Sequence, residues 1–203
     1  MRYPHFLPEN GSIGFISPSF GAATEPYRSA FLNARAKFEA MGYRCVTGPN
    51  AFVQEGVGIS NTPEACAAEV NDFFTRKDTD ILISLGGGEL MCTILDEVDF
   101  PAIQTAPPKW FMGFSDNTNL TFLLPTLCDT AAVYGPNAPP SAWSPGTQPF
   151  SMPSIYSQAN ARHLKTIPAG STPRSATKST RCSPTIWTAR PNSAAFVRMR
   201  TAT

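Results

Sequence analysis

The chain has 203 residues, 42% of them apolar, which suffices for one packed domain and excludes a wholly disordered protein. Its formal charge of +1 conceals an asymmetry, because residues 1–140 carry 8 Lys and Arg against 15 Asp and Glu, whereas residues 141–203 carry 8 against none. No run of eighteen apolar residues occurs, so a membrane-spanning helix is excluded, and prolines at positions 4 and 8 interrupt the start before a leader-like apolar stretch can develop; a cytoplasmic location is expected.

In chain order, Ser12–Ser17 is an apolar run that reads as a first buried strand, closed by Pro18 and Gly21. Thr24 is placed to cap a helix whose Tyr27, Phe31, Ala34, Phe38 and Met41 share one face before Gly42 ends it. Tyr43–Val46 reads as a second strand. Thr62-Pro63 opens another helix, with Ala67, Val70 and Phe74 facing inward. Asp80–Leu85 is the clearest strand and runs into Gly86-Gly87-Gly88, after which Glu89–Leu95 can form a short helix. Trp110–Phe114 is a further strand that meets Ser115. Leu120, Leu123, Leu124 and Leu127 then give a helical apolar face, and Ala131–Tyr134 closes the series before Gly135-Pro136. Strands alternating with helices predict an α/β domain over residues 1–140, with a mostly parallel layered sheet and flanking helices.

From about Ser141 the pattern stops. Residues 141–203 hold 19 Ser and Thr and 7 Pro with no sustained period, so a basic, acid-free, irregular tail is expected, either disordered or translated out of frame. A second frame read from Ser141 permits a string with apolar residues at helical spacing. Dispersed basic charges with scattered aromatics also fit a nucleic-acid-binding arm, but no recognition module or charge cluster is visible, and neither nucleic acid nor a membrane is expected as partner. The five cysteines form no Cys-x-x-Cys pair and read as reduced core thiols, so no metal site is expected.

Two turns carry candidate chemistry. Gly113-Phe114-Ser115-Asp116-Asn117 lies between a strand and a helix, where a serine projects its hydroxyl above the sheet and the following amides and helix start can stabilise an oxyanion. Asn117 occupies the place where such nucleophile elbows usually have glycine, and a plain helix cap is the competing reading of Ser115. Gly86-Gly87-Gly88-Glu89 brings backbone amides close to a ligand but lacks the spacing of a phosphate loop. Both turns follow strands, at the end where parallel sheets form ligand crevices. A catalytically silent anion-binding module at Gly86–Gly88 is one outcome of this arrangement.

Ser17-Pro18-Ser19, Gly86–Met91, Leu95-Asp96, Pro108-Lys109-Trp110, Gly113–Thr118 and Tyr134-Gly135-Pro136 occur in that order. The series resembles the LD-carboxypeptidases, serine peptidases that include muramoyltetrapeptide carboxypeptidases and microcin C immunity peptidases, over residues 11 to about 140. The resemblance implies Ser115 as nucleophile, with the N–H groups of Asp116 and of Gly87 or Gly88 as oxyanion donors. It further implies a small peptide substrate (a murein tetrapeptide losing its terminal D-alanine), no cofactor and a homodimer; a microcin-type substrate is the alternative. The family's activating His and Glu come from a separate C-terminal domain, whereas this chain has only His5 and His163 and no acid after residue 140. The chain is therefore read as truncated, with little or no turnover.

Overall fold

A computed structural model describes residues 1–138 and the short strand Thr185–Trp187. The expected tail, residues 141–203, otherwise lies outside the described residues, as do His163 and Cys182.

Five parallel strands form the sheet: β1 (Ser12–Ile16), β2 (Arg44–Thr47), β3 (Ile81–Ser84), β4 (Trp110–Gly113) and β5 (Ala132–Tyr134). Their spatial order is β2-β1-β3-β4-β5, and β6 (Thr185–Trp187) adds an antiparallel edge beside β5. The order reverses between β1 and β3, where a doubly wound sheet opens a crevice beyond the carboxyl ends of its strands.

Side chains alternate across the sheet, as the two-residue period requires. Ile13, Phe15, Ile81, Ile83, Trp110, Met112 and Val133 face one core, shared with α1 (Tyr27–Ala40) and with Phe6 and Leu7 of the amino-terminal arm. Ile16, Leu82, Phe111 and Ala132 face the other, covered by α2 (Pro63–Thr75), α3 (Phe100–Thr105) and α4 (Thr118–Leu127). Both faces are thus buried, which explains why β1, β3 and β4 read as continuous apolar runs.

Helix ends show where the sequence reading held and where it did not. Thr62 caps α2, its hydroxyl accepting from the Ala65 N–H at 3.3 Å. Thr24 does not cap α1 through its side chain; α1 starts at Tyr27 after Pro26, and only the Thr24 carbonyl takes part, accepting from the Arg28 N–H. The inward face of α1 is also shorter than expected: Phe31, Ala34 and Phe38 are buried, whereas Tyr27, the first residue of the helix, and Met41, its C-cap, are about half exposed. The segment after the glycines is a 3-10 helix, Met91–Glu97, and α3 is an additional helix opened by Asp99, whose side chain accepts from the Ala102 N–H.

Lys109, part of the Pro-Lys-Trp segment, is buried below the sheet. Its ammonium donates to the Phe73 and Arg76 carbonyls and the Thr79 hydroxyl, closing the carboxyl end of α2. Burial pulls its pKa down to about 8. Among the described residues Cys45, Cys66, Cys92 and Cys128 are free thiols, no group of side chains could hold a metal ion, and no helix is long and apolar enough to cross a membrane.

Candidate active site

Register brings the two singled-out turns together. Ile16 pairs with Ser84, Met112 with Val133 and Gly113 with Tyr134, so the segments following β1, β3, β4 and β5 emerge side by side. Ser115 follows β4 with φ +64°, in the left-handed region. A non-glycine residue there is strained by roughly 1–3 kcal/mol and persists only when its surroundings hold it. Ser115 is exposed, and it leads into a 3-10 turn (Ser115–Asn117) that runs directly into α4. The positive end of this helix therefore lies beside the serine.

Gly87 lies against Ser115. A Cβ placed on Gly87 would sit 3.1 Å from the Ser115 Cβ and 3.3 Å from its Oγ, so only glycine leaves the hydroxyl free to turn. Hydrogen bonds to the Gly86 and Gly87 carbonyls orient this turn, the Ser84 hydroxyl also donating to that of Gly86 at 3.1 Å. The Gly86 carbonyl accepts from Asn117 Nδ2 at 2.6 Å, and the Gly87 carbonyl accepts from the Phe20 N–H at 2.9 Å. In a trans peptide the N–H points opposite the carbonyl, so the Gly87 N–H turns away from buried Asn117 and the Gly88 N–H away from Phe20. Neither N–H has an acceptor among the described residues. Gly88 is hemmed in: a Cβ there would overlap the Ser19 hydroxyl and lie 3.2 Å from Asp116 Oδ2.

Asp116 supplies more than a backbone amide. Its Oδ2 accepts from the Ser19 hydroxyl at 2.6 Å and from the Met91 N–H at 2.9 Å, tying the segments after β1 and β3 to the turn after β4. Asn119 Nδ2 donates to the Asp116 carbonyl at 2.8 Å.

Three residues that sequence reasoning did not assign a role complete the frame. Asn117, fully buried, occupies the place of the usual elbow glycine and bridges the two turns through Gly86. Gly113 makes room for it, since a Cβ there would come within 2.7 Å of the Asn117 Cβ. Asn137 accepts the Phe114 N–H at 3.1 Å, and its position directly after Gly135-Pro136 was the available signal. Beside Ser115 opens a cleft of about 380 Å³ lined by Asp116, Asn119, Leu95, Phe122 and Leu123.

The structure does not bring a histidine to the serine among the described residues. His5 is exposed in the arm whose Phe6 stacks on Trp110, at 6.0 Å between ring centres. Trp110 begins β4 and Ser115 follows its end, so His5 belongs to the opposite rim of the sheet.

A doubly wound parallel sheet that presents a left-handed serine at the head of a helix, against a glycine turn with unused amides, has the layout of a serine hydrolase of the nucleophile-elbow kind. Comparison with known families makes the assignment specific: the LD-carboxypeptidase N-terminal domain matches residues 13–135, more than half of the chain, and the protein belongs to the LD-carboxypeptidase family. Among solved structures, the wild-type microcin C7 self-immunity protein MccF is 26% identical, with a TM-score of 0.63 over 70% of this chain and 41% of its own. A muramoyltetrapeptide carboxypeptidase from Oxalobacter formigenes is 20% identical, with a TM-score of 0.59 over 73% of this chain and 47% of its own, and shows the shared fold. The chain thus spans less than half the length of these structures. Comparison with curated protein sequences finds no match.

Proposed function

We propose that Ser115 is the nucleophile of a cytoplasmic serine carboxypeptidase that releases the terminal D-alanine of a murein tetrapeptide. The observation that carries this reading is the left-handed Ser115 held against Gly87. The Ser115 Oγ attacks the carbonyl of the terminal peptide bond, its proton passing to a base and from there to the departing D-alanine amine. The tetrahedral oxyanion is stabilised by the N–H groups of Asp116 and of Gly87 or Gly88, and water then hydrolyses the acyl ester and restores the hydroxyl. No cofactor enters these steps.

The base is the missing part. His5 is on the far rim, and residues 141–203 contain no Asp or Glu to orient a histidine. Loss of triad members costs on the order of 10⁴ to 10⁶ in rate, so the 203-residue chain turns over slowly or not at all. Chemical rescue tests this directly. With imidazole in solution as base, incubation with murein tetrapeptide should add the mass of the tripeptide acyl group to the chain and release D-alanine, and Ser115→Ala should do neither. Equal acylation of Ser115→Ala, or none of either protein at any imidazole concentration, would refute the nucleophile assignment. D-alanine release without imidazole that disappears in Ser115→Ala would instead overturn the missing base.

A second reading has one observation in its favour: MccF, a match with more than fold-level identity, has been solved with aspartyl sulfamoyl adenosine. On that reading the acyl group comes from an acidic aminoacyl nucleotide analogue. The same rescue assay with such a compound separates the two by which substrate acylates Ser115.

A further inference from the structure

Glu69 lies in the middle of α2, outside every segment singled out by sequence, yet it is only 3% exposed. A buried carboxylate ordinarily pairs with a cation, but the charged group that bears on Glu69 is Asp72, one turn along the same helix and of like sign. Cys66, also on α2, is kept as a thiol by burial. The elements facing Glu69 present the uncharged Ser17, Gly48 and Asn50. Its two oxygens accept from the Ser17 N–H at 2.8 Å and the Asn50 N–H at 3.2 Å. Gly48 approaches so closely that a Cβ there would overlap Glu69 Oε1.

Ser17 opens the short segment on which the candidate site is hung. Two residues on, the Ser19 hydroxyl holds Asp116 Oδ2 and the Ser19 carbonyl accepts from the Ser60 N–H at 2.9 Å. The Phe20 N–H then holds the Gly87 carbonyl. The Ser60 hydroxyl returns to the Ser17 carbonyl at 2.8 Å, closing the segment into one unit.

We propose that Glu69 is a positioning residue for the Ser115 site: its buried carboxylate anchors Ser17–Phe20, and that segment sets the Asp116 carboxylate and the Gly87 carbonyl, which fix the serine and the amides facing it. The catalytic meaning of this coupling rests on the reading of Ser115 as nucleophile; the coupling itself does not. Burial pushes the Glu69 pKa up to about 7, so its charge changes near neutrality. The ionised form makes charge-assisted bonds to Ser17 and Asn50, and protonation weakens them.

Amide NMR of the full chain between pH 5 and 9 tests the proposal. The Ser17 and Asn50 amides should titrate with a midpoint at about 7, and the Phe20, Gly88 and Met91 amides should follow with the same midpoint. In Glu69→Gln this common transition should vanish, while amides on the far rim, such as that of Trp110, are unchanged. A transition confined to Ser17 and Asn50, a transition that survives Glu69→Gln, or no transition in the wild type would each overturn the proposal. Should Glu69→Gln fail to fold, Ser19→Ala serves instead: it must keep the Ser17 response and lose that of Met91, and an unaltered Met91 response refutes the path. Failure of imidazole rescue with the common titration present would remove the peptidase reading and leave the coupling. Rescue without the common titration would do the reverse.

Discussion

Removing the Asp116 side chain tests the idea that one carboxylate locks the site together. Its Oδ2 accepts from Ser19 Oγ and from the Met91 N–H, both on residues with no solvent exposure. In Asp116→Ala these two donors lose their acceptor, and each orphaned buried group costs about 1–3 kcal/mol. The Ser19 hydroxyl can rotate in search of another acceptor whereas the backbone N–H cannot, which places the sum near the lower half of the range, about 3 kcal/mol. At about 4 °C per kcal/mol for a domain of this size, the melting temperature should fall by about 12 °C. Urea unfolding of the wild type, Asp116→Ala, Ser19→Ala and the double variant gives the interaction directly, and a coupling of about 1–2 kcal/mol between Ser19 and Asp116 is expected. If Asp116→Ala costs below about 0.5 kcal/mol, as ordinary surface substitutions do, with no coupling to Ser19, the three segments are not held by this carboxylate and the account of the site's rigidity fails.

Gly87→Ala should place a methyl group 3.1 Å from the Ser115 Cβ and lower imidazole-rescued acylation by roughly 10²-fold through displacement of the hydroxyl; an unchanged rate would mean that Gly87 does not border the reacting atom. Lys109→Met removes three donated bonds at the carboxyl end of α2 and should destabilise by about 2–4 kcal/mol, measured by urea unfolding, while leaving the amide shifts around Ser115 in place. The Glu69 pKa is raised in the folded state, so the native protein holds the extra proton between the unfolded value near 4.5 and about 7. Its contribution to stability is therefore complete below pH 4.5 and is lost as pH rises through 7, amounting to roughly 3 kcal/mol. The difference in unfolding free energy between wild type and Glu69→Gln should change across that window, and a constant difference refutes the assignment. Sequencing the coding DNA for residues 134–143 should reveal a second frame that continues the family pattern; a gene without one removes the out-of-frame reading of the tail.

The sheet was legible because β1, β3 and β4 are buried on both faces and leave uninterrupted apolar runs between punctuating glycines and prolines. The α2 start was legible for a chemical reason, Thr62-Pro63. Helix α3 was not, since six residues carry no period, although Asp99-Phe100-Pro101 has the cap-then-proline pattern that opens helices. Strand β6 lacks any signal, being three residues within a stretch of irregular composition. At the site, Ser115 and the glycines could be found because they sit at strand ends. Asn117 departed from the expected elbow glycine, and its use as a bridge to Gly86 depends on a contact across 31 residues that no local pattern encodes. Glu69 was hidden more thoroughly: a glutamate in a helix ordinarily marks the solvated face, and only the approach of Ser17 and Gly48, from the segments that follow β1 and β2, reveals it as buried.

These long-range ties explain how a strained serine survives at this turn. A left-handed Ser115 in an isolated turn would relax, since roughly 1–3 kcal/mol favours the ordinary backbone regions. Here Phe114 is pinned to Asn137, Asp116 to Ser19 and Met91, Asn117 to Gly86, and the Thr118 hydroxyl donates to the Ser115 carbonyl itself. Every one of these partners lies within residues 19–137, so the contacts that hold the Ser115 turn belong to the described domain. Proton transfer is a separable function. In serine peptidases stripped of triad members, amides and binding alone still retain about 10³–10⁴ in rate over water. On the proposed function the physical division follows: this domain would orient and polarise the carbonyl, and the removal of the serine's proton is the separate step that imidazole rescue tests.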